Sequence, residues 1–247
     1  MLEKLKSASL LEISVFFLVL NLAIFISSVV LCWTLGCVFR NKRIFESWEP
    51  IRPVELGAAL GSVILNAGVS VAGWALWRAE WIEIRPAGIS STFIDCALMV
   101  LAMDLGMYFL HRAAHITTIY QLVHGFHHRH ETTNPISLFV LHPIEVIGFG
   151  GLMIVFLMIY PTSLGGLLGY LTLNVVFGTL GHSGVEPFPA IMKSIPFLKL
   201  VGTSTFHAEH HEHPAYNFGF YTLIWDKLFG TLDPAYEARF SRSPIDP

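Results

Sequence analysis

The chain has 247 residues, of which 53% are hydrophobic and 13% charged, with a net charge of −3 at neutral pH. An average soluble domain carries about 25% charged residues, so the apolar runs here exceed what one soluble core needs, and without a basic surplus nothing suggests nucleic acid as a partner. The cysteines Cys32, Cys37 and Cys96 form no Cys-x-x-Cys pair and lie in or beside apolar stretches, so neither a disulfide framework nor a thiolate metal site is indicated.

Lys4 and Lys6 precede an apolar run too long for the core of a signal peptide, and no small-residue cleavage site follows, so the sequence predicts a membrane anchor. Residues 13–33 make the first span, since about 20 apolar residues cross a bilayer. A basic loop with Trp48 runs from Arg40 to Arg52. Residues 54–77 are a second span, rich in Gly and Ala and ending in Trp74 and Trp77, as close-packed membrane helices with interfacial aromatics tend to be. After a polar connection from Arg78 to Ser91, a third span at 92–110 runs straight into His111. Residues 136–181 are apolar almost throughout. Pro161 and the glycines at 165, 166 and 169 divide them into segments of about 25 and 20 residues, the second near the length of a crossing, which reads as a helical hairpin that goes in and returns. The expected fold is all-α: an integral membrane protein with about four transmembrane helices and a helical, histidine-rich cap.

If the first three spans each cross once and the hairpin returns, the loop at 40–52, the histidines at 111–130 and everything after 181 share one side. That side holds 11 of the 15 basic residues: Arg40, Lys42, Arg43, Arg52, Arg112, Arg129, Lys193, Lys199, Lys227, Arg239 and Arg242. Lys4, Lys6, Arg78 and Arg85 are left for the other. By the positive-inside rule, the histidine cluster is expected on the cytoplasmic side of a multi-pass protein.

All twelve histidines lie after residue 110. His111 and His115 are spaced i, i+4; His124, His127 and His128 are spaced i, i+3, i+4; and His207, His210 and His211 repeat the second spacing. On a helix such positions share a face, with Cβ atoms roughly 5–6 Å apart, so each set is expected to reach one metal. Imidazole suits zinc, copper, iron and nickel alike. Number is more informative: a structural zinc takes four ligands, so eight or nine imidazoles at ligand spacing fit two metals, each with four or five nitrogens and an open position. No pair of Glu-x-x-His motifs stands out, as a ferritin-like di-iron site would require. Neither His130-Glu131 nor His211-Glu212 completes a His-Glu-x-x-His zinc-protease signature.

Two acids lie within the third span, where a charge is costly and marks a function or a partner. Asp104 shares a face with Tyr108 and His111 and is expected to accept a hydrogen bond from a ligand imidazole. Asp95, nearer the start of the span, is expected to serve helix packing.

The run Asp104-x-x-x-Tyr108-x-x-His111-Arg-x-x-His115, followed by His124-x-x-His127-His128 and His142-Pro-x-Glu145, resembles the fatty acid hydroxylase / sterol desaturase superfamily. So do His182-Ser-Gly-Val-Glu186, His207-x-x-His210-His211, and Asn217-Phe-Gly followed by Trp225-Asp226-Lys-Leu-Phe-Gly-Thr231. The resemblance covers roughly residues 95–235. It implies a membrane-bound oxidoreductase with two iron ions, zinc being a surrogate. Such an enzyme uses O₂ and two external electrons to hydroxylate, oxidise or desaturate a C–H bond of a sterol-like or fatty-acyl-like lipid. The implied ligands are His111, His115, His124, His127, His128, His207, His210 and His211. His182 is a ninth, at the end of a span where the family also has a histidine. Asp104, Glu145, Glu186 and Asp226 are the implied outer carboxylates. His142 is a peripheral ligand, a neighbour of Glu145 or a helix cap, while His130 and His213 flank the boxes out of register. Residues 1–247 are then one membrane domain: anchoring helices and connections over 1–90, a catalytic region over 91–235 and a tail over 236–247.

Asn217-Phe-Gly departs from the Asn-Tyr-Gly of many members, so a tyrosine hydroxyl is missing unless Tyr216 or Tyr221 compensates. No residues remain for a fused cytochrome b5-like module, so electrons are expected from a separate protein such as cytochrome b5 or ferredoxin. Phe109, Phe126, Phe139 and Phe149 are candidates for a lipid tunnel, with plain packing as the alternative for each. Two other function classes compete. A divalent-metal transporter needs ligands spread across the midplane, and a zinc-dependent lipid hydrolase needs only three protein ligands and a water; one-sided clustering and the histidine surplus disfavour both.

Overall fold

The computed structural model describes residues 2–129 and 132–241; His130, Glu131 and the tail beyond 241 lie outside them. Five apolar helices form the body, and local sequence fixes where each starts. In α1 (Leu10–Val38) Ser9 is the N-cap: its hydroxyl accepts the Glu12 amide, and the Glu12 carboxylate accepts the Ser9 amide at 2.8 Å. α2 (Pro53–Arg78) opens on a proline, which has no N–H to leave unsatisfied, and Glu55 accepts the Arg52 amide. α3 (Ile89–Ala114) follows Gly88, α4 (Pro143–Ile159) begins after His142, and in α5 (Leu164–Gly181) the Ser163 hydroxyl accepts the Gly166 amide.

α1, α2, α3 and α5 are long and apolar enough to cross a membrane. α1 displays apolar side chains all round, with Leu11, Val19 and Trp33 exposed; a helix apolar on every face and not covered by protein needs lipid as its solvent. α4 has 17 residues, about 26 Å at 1.5 Å per residue, so it falls short of a full crossing. The first hairpin segment thus begins at 143 rather than 136. Residues 136–142 hold the 3₁₀ turn Ser137–Phe139, flanked by the buried Ile136 and Val140.

α1 packs on α2 and α5, α3 on α4 and α5, and α2 on α4. Close approach depends on two glycines. A Cβ on Gly106 of α3 would lie 2.7 Å from Leu152 of α4, and one on Gly150 of α4 would lie 2.6 Å from Val69 of α2.

The connections sort to two ends. At one, the Trp74 indole donates to the Leu5 carbonyl, Lys6 pairs with Glu80, and Ile84–Arg85 pairs in parallel with Thr162–Ser163. Asp95 ties this end together by accepting from the Ser163 amide, the Tyr160 hydroxyl and Arg85, the packing role expected of it. At the other end, Ile44 donates to the Gly184 carbonyl and the Trp48 indole to that of Ser183. Loop 40–52, the described histidine segments and residues 182–241 therefore gather at one end, as the count of spans required. There they build a cap of 3₁₀ and π turns, a single α-turn at Thr117–Ile119 and the short helices α6 (Ser204–Glu212), α7 (Ile224–Phe229) and α8 (Tyr236–Ser241).

Replacing Asp95 by alanine leaves the buried Ser163 amide and the half-buried Tyr160 hydroxyl without an acceptor, and leaves Arg85 only the Pro161 carbonyl. It should lower stability by about 1–3 kcal/mol, measured as thermal unfolding in detergent, and leave metal retention at the opposite end unchanged.

Candidate metal centre

Nine histidines come together in two groups at the cap end of the bundle. His111, His115, His124, His128 and His210 form one, and His127, His182, His207 and His211 the other; within each, one ring nitrogen per residue lies within 4.8 Å of the rest. His111 is on the last turn of α3, and His115 is its C-cap. His124 ends a π-helical turn, Tyr120–His124, and His127 and His128 open a 3₁₀ turn after Gly125. His182 caps the C-terminus of α5, and His207, His210 and His211 lie on α6.

The grouping corrects the expectation that each histidine box reaches one metal. His124 and His128 join one group while His127 joins the other; His207 and His211 share a group while His210 crosses to its neighbour. On a helix, positions i and i+4 differ by about 40° around the axis, whereas i+3 and i+4 diverge by about 100°. On α6 this sends His210 away from His207 and His211, and the π and 3₁₀ turns of 124–128 likewise send His127 away from His124 and His128, so each box points two rings at one group and the third at the other. The two boxes do this in opposite senses, so both groups depend on both boxes.

The rings are anchored from behind. His111 Nδ1 donates to the Phe218 carbonyl (3.0 Å), His127 Nδ1 to that of Val140 (3.2 Å) and His210 Nδ1 to that of Tyr216 (2.6 Å), while His124 Nδ1 meets the Glu145 carboxylate. The proton of the Ser137 hydroxyl goes to the Asn134 carbonyl, so its oxygen accepts from His182 Nδ1 at 2.9 Å. With Nδ1 protonated and engaged, each of these rings turns an Nε2 lone pair inward. Facing Nε2 atoms then stand 3.1 Å apart for His111 and His124, 3.1 Å for His128 and His210, and 3.0 Å for His182 and His207. In addition, His115 Nε2 and His128 Nδ1 are buried without a hydrogen-bond partner among the described residues. Converging lone pairs and buried orphan nitrogens are what a cation-ligating set looks like, so the residues fit two metal ions.

Burial keeps the rings neutral, the form that ligates. It pulls His124 down to about 4, and burial together with the neighbouring histidines takes His127 to about 3. His207, His210 and His211 fall well below the ordinary value for the same reasons.

The carboxylates act at different removes. Glu145 touches an imidazole directly and also accepts the His142 amide at 2.9 Å. Asp226 does not; it accepts the amides of Phe218 (2.8 Å) and Gly219 (2.7 Å) and the Thr231 hydroxyl (2.7 Å), and so holds the loop whose carbonyl orients His111. The hydrogen bond expected from an imidazole to Asp104 is not formed. Asp104 accepts instead from the Phe220 and Tyr221 amides and the Thr222 hydroxyl, because the 218–222 segment is laid between α3 and the histidines. Glu186 accepts the Thr205 amide and hydroxyl at the start of α6. His142 belongs to neither group; it caps α4, its ring accepting the Ile144 amide. His213 stands apart, 3.4 Å from Asp233.

Neither candidate tyrosine supplies the missing hydroxyl. Tyr221 turns away to Tyr170 and Asn174, Tyr216 contributes its carbonyl, and the Phe218 ring packs edge-on against His111, His115 and His210. Sequence reasoning missed the carbonyls of Val140, Tyr216 and Phe218, which carry no side-chain signal. It also missed Ser137, whose role appears only once residues 134–140 fold under His182. Glu209, between the ligand-spaced histidines of α6, was passed over too; burial raises its carboxyl to about 7.

The Fatty acid hydroxylase family description matches residues 96–231, more than half of the chain. The chain belongs to the fatty acid hydroxylase family. Among curated relatives, it is 26% identical over 235 residues to the Delta(7)-sterol 5(6)-desaturase of Eremothecium gossypii, covering 88% of this chain and 65% of that protein. It is 32% identical over 202 residues to very-long-chain aldehyde decarbonylase GL1-1 of Oryza sativa subsp. indica, covering 77% and 30%. With Protein CER1-like 1 of Arabidopsis thaliana the identity is 30% over 162 residues, covering 61% and 26%. The chain thus spans just under two thirds of the desaturase's length and under a third of the other two. No solved structure matches it. All nine clustered histidines fall within the matched region of this family member.

Two outcomes follow. Below about pH 6.5, the unfolded chain takes up protons on these histidines that the folded chain refuses. Stability of the metal-free protein is therefore complete above that pH and declines as pH falls towards 4, which thermal unfolding across pH will register. In Asp226→Asn an amide NH₂ faces the amides of Phe218 and Gly219; a loss of about 1–3 kcal/mol in stability, with reduced metal retained per chain, is the expected result.

Proposed function

We propose that this chain is a membrane-bound di-iron oxygenase that hydroxylates, oxidises or desaturates a C–H bond of a lipid. The supporting observation is the division of nine histidines, eight buried and His115 half-buried, into groups of five and four, in a chain of the fatty acid hydroxylase family. His111, His115, His124, His128 and His210 would hold one ion, and His127, His182, His207 and His211 the other. Desaturation, named for one relative, removes two hydrogens and two electrons from saturated carbon, and zinc has no redox chemistry with which to do this. Iron is the imidazole-compatible metal that the resemblance implies. Two irons would supply O₂ activation, with O₂, two electrons and two protons consumed per hydroxylation to give the alcohol and water.

The protein's own part is positioning and insulation. Glu145 holds the Nδ1 proton of His124 and offsets part of the positive charge, Asp226 sets the loop that aims His111, and Asp104 fixes the next residues of the same segment. Phe218 closes apolar surface over the rings and excludes water. Electrons would arrive from a separate protein such as cytochrome b5 or ferredoxin. The excess of basic residues at the histidine end favours a cytoplasmic cluster by the positive-inside rule. Histidines confined to one end argue against a metal-transport path, which needs ligands across the midplane.

Metal analysis of protein purified in mild detergent without chelator tests the reading: about two irons per chain, as two such ligand groups require, with O₂ uptake when reductant is added. His124→Ala, which also takes from Glu145 its imidazole partner, should lose metal and O₂ uptake together. Zinc content that iron reconstitution cannot replace, with no O₂ uptake, would overturn the proposal.

A further inference from the structure

The 218–222 segment that orients His111 continues into a two-stranded ribbon at the rim of the cap. Gly202 donates to the Tyr221 carbonyl and Leu223 to that of Leu200, both at 2.8 Å, and Val201 bridges antiparallel to Thr222. α3 fixes the height of this ribbon. Tyr221 and Thr222 bond to Asp104, 15 residues along α3 from Ile89. Phe229, at the end of α7, packs on Phe109, 20 residues along, with ring centroids 5.4 Å apart. At 1.5 Å per residue, those positions stand about 22 and 30 Å from the start of the helix. A hydrocarbon core is about 30 Å thick. With α3 crossing, the ribbon and α7 therefore lie where acyl chains give way to headgroups.

Antiparallel pairing makes the chain before Leu200 and the chain after Leu223 leave the ribbon by the same end. Both carry two large apolar residues beside a lysine: Phe197-Leu198-Lys199 on one, Lys227-Leu228-Phe229 on the other. Phe197 is 84% exposed and Leu228 67%, with Leu198 and Phe229 also exposed. Neither patch is loose chain. Met192 is buried against Phe206, Leu223 and Phe240, and Phe229 against Tyr108, so the outward side chains are held outward. Residues 187–208 contain no acidic residue. Lys199 and Lys227 are exposed, and neither pairs with a carboxylate among the described residues. We infer that this rim is an in-plane lipid-contact surface. Phe197, Leu198, Leu228 and Phe229 enter the acyl boundary of one leaflet, and Lys199 and Lys227 meet the phosphates of anionic lipids. A bilayer fits better than a protein partner because the patches sit at the boundary height set by α3, continuous with the apolar surface of the spans. A lysine at that height lays its methylene stem on apolar surface and keeps its ammonium among headgroups. The leaflet then supports the segment whose Phe218 carbonyl orients His111.

The test uses the full chain with Cys37→Ser and Cys96→Ser, the remaining Cys32 being buried. A nitroxide is attached at Phe197→Cys or at Leu228→Cys, and the protein is placed in nanodiscs of phosphatidylcholine, alone or with phosphatidylserine. At both labels, collisions with O₂, which concentrates in lipid, should exceed those with a water-soluble nickel chelate several-fold. Adding phosphatidylserine should raise that ratio about twofold, and Lys199→Glu together with Lys227→Glu should abolish the rise. Nickel collisions dominating at either label in both discs would place the rim in water. Labels immobilised and shielded from both reagents would mean that protein covers it. A ratio indifferent to phosphatidylserine would remove the anionic lipid. Each of these overturns the inference. Should the charge-reversed chain fail to fold, the two labels in the two discs decide. Neither label touches the histidine groups, so iron content and O₂ uptake judge the proposed function separately.

Discussion

Every imidazole in the centre has two nitrogens and can turn only one of them inward. For five of the nine rings the cap takes the other. Nine rings in two groups cannot be charged together, because burial and mutual repulsion both disfavour the proton. They must be neutral, and a neutral ring has one N–H that needs an acceptor. Those acceptors come from places far apart in sequence: the carbonyls of Val140, Tyr216 and Phe218, the Ser137 hydroxyl and Glu145. Each fixes a tautomer as well as an orientation.

Two of the carbonyls sit on one strap, residues 216–222, which the fold holds by buried carboxylates. Asp226 takes the amides of 218 and 219, and Asp104, from within α3, takes those of 220 and 221. Asn217 turns the strap in a left-handed conformation, φ 61°, which asparagine tolerates better than most residues. Its side chain donates to the Phe206 carbonyl on α6 and accepts the Asp233 amide. The strap thus ties α3, α6 and the chain before α8 into one body. A charged group inside a membrane span is expensive, and here the cost is offset by three hydrogen bonds that position backbone around the histidines.

The membrane-facing body serves this arrangement by delivering chain ends. α3 brings His111 and His115, α5 brings His182, and the turn before α4 brings Ser137, Val140 and the Glu145 cap to the same end. Asp95 pins the opposite end, so the helices keep their relative height. With α6 against the 124–128 turn, the i and i+4 rings of each box meet in one group and the i+3 ring joins the other. The two groups are interlocked: removing either box would leave both incomplete.

The sequence by itself determined the helical class, the four long apolar helices, the gathering of histidine segments at one end and the identity of the rings that meet there. Hydrophobic run length and i, i+3, i+4 spacing are local properties, written wherever a helix forms. The family resemblance, with its motifs at His111–His115, His124–His128 and His207–His211, rests on the same local runs. Tertiary structure alone decided which rings share a group, because His127 and His210 cross between boxes only when α6 lies against the 124–128 turn. It also decided that Asp104 and Asp226 act through backbone amides rather than on an imidazole, and that carbonyls anchor three of the rings. A peptide carbonyl is the same group at every residue, so its partner is set by where the chain passes in space.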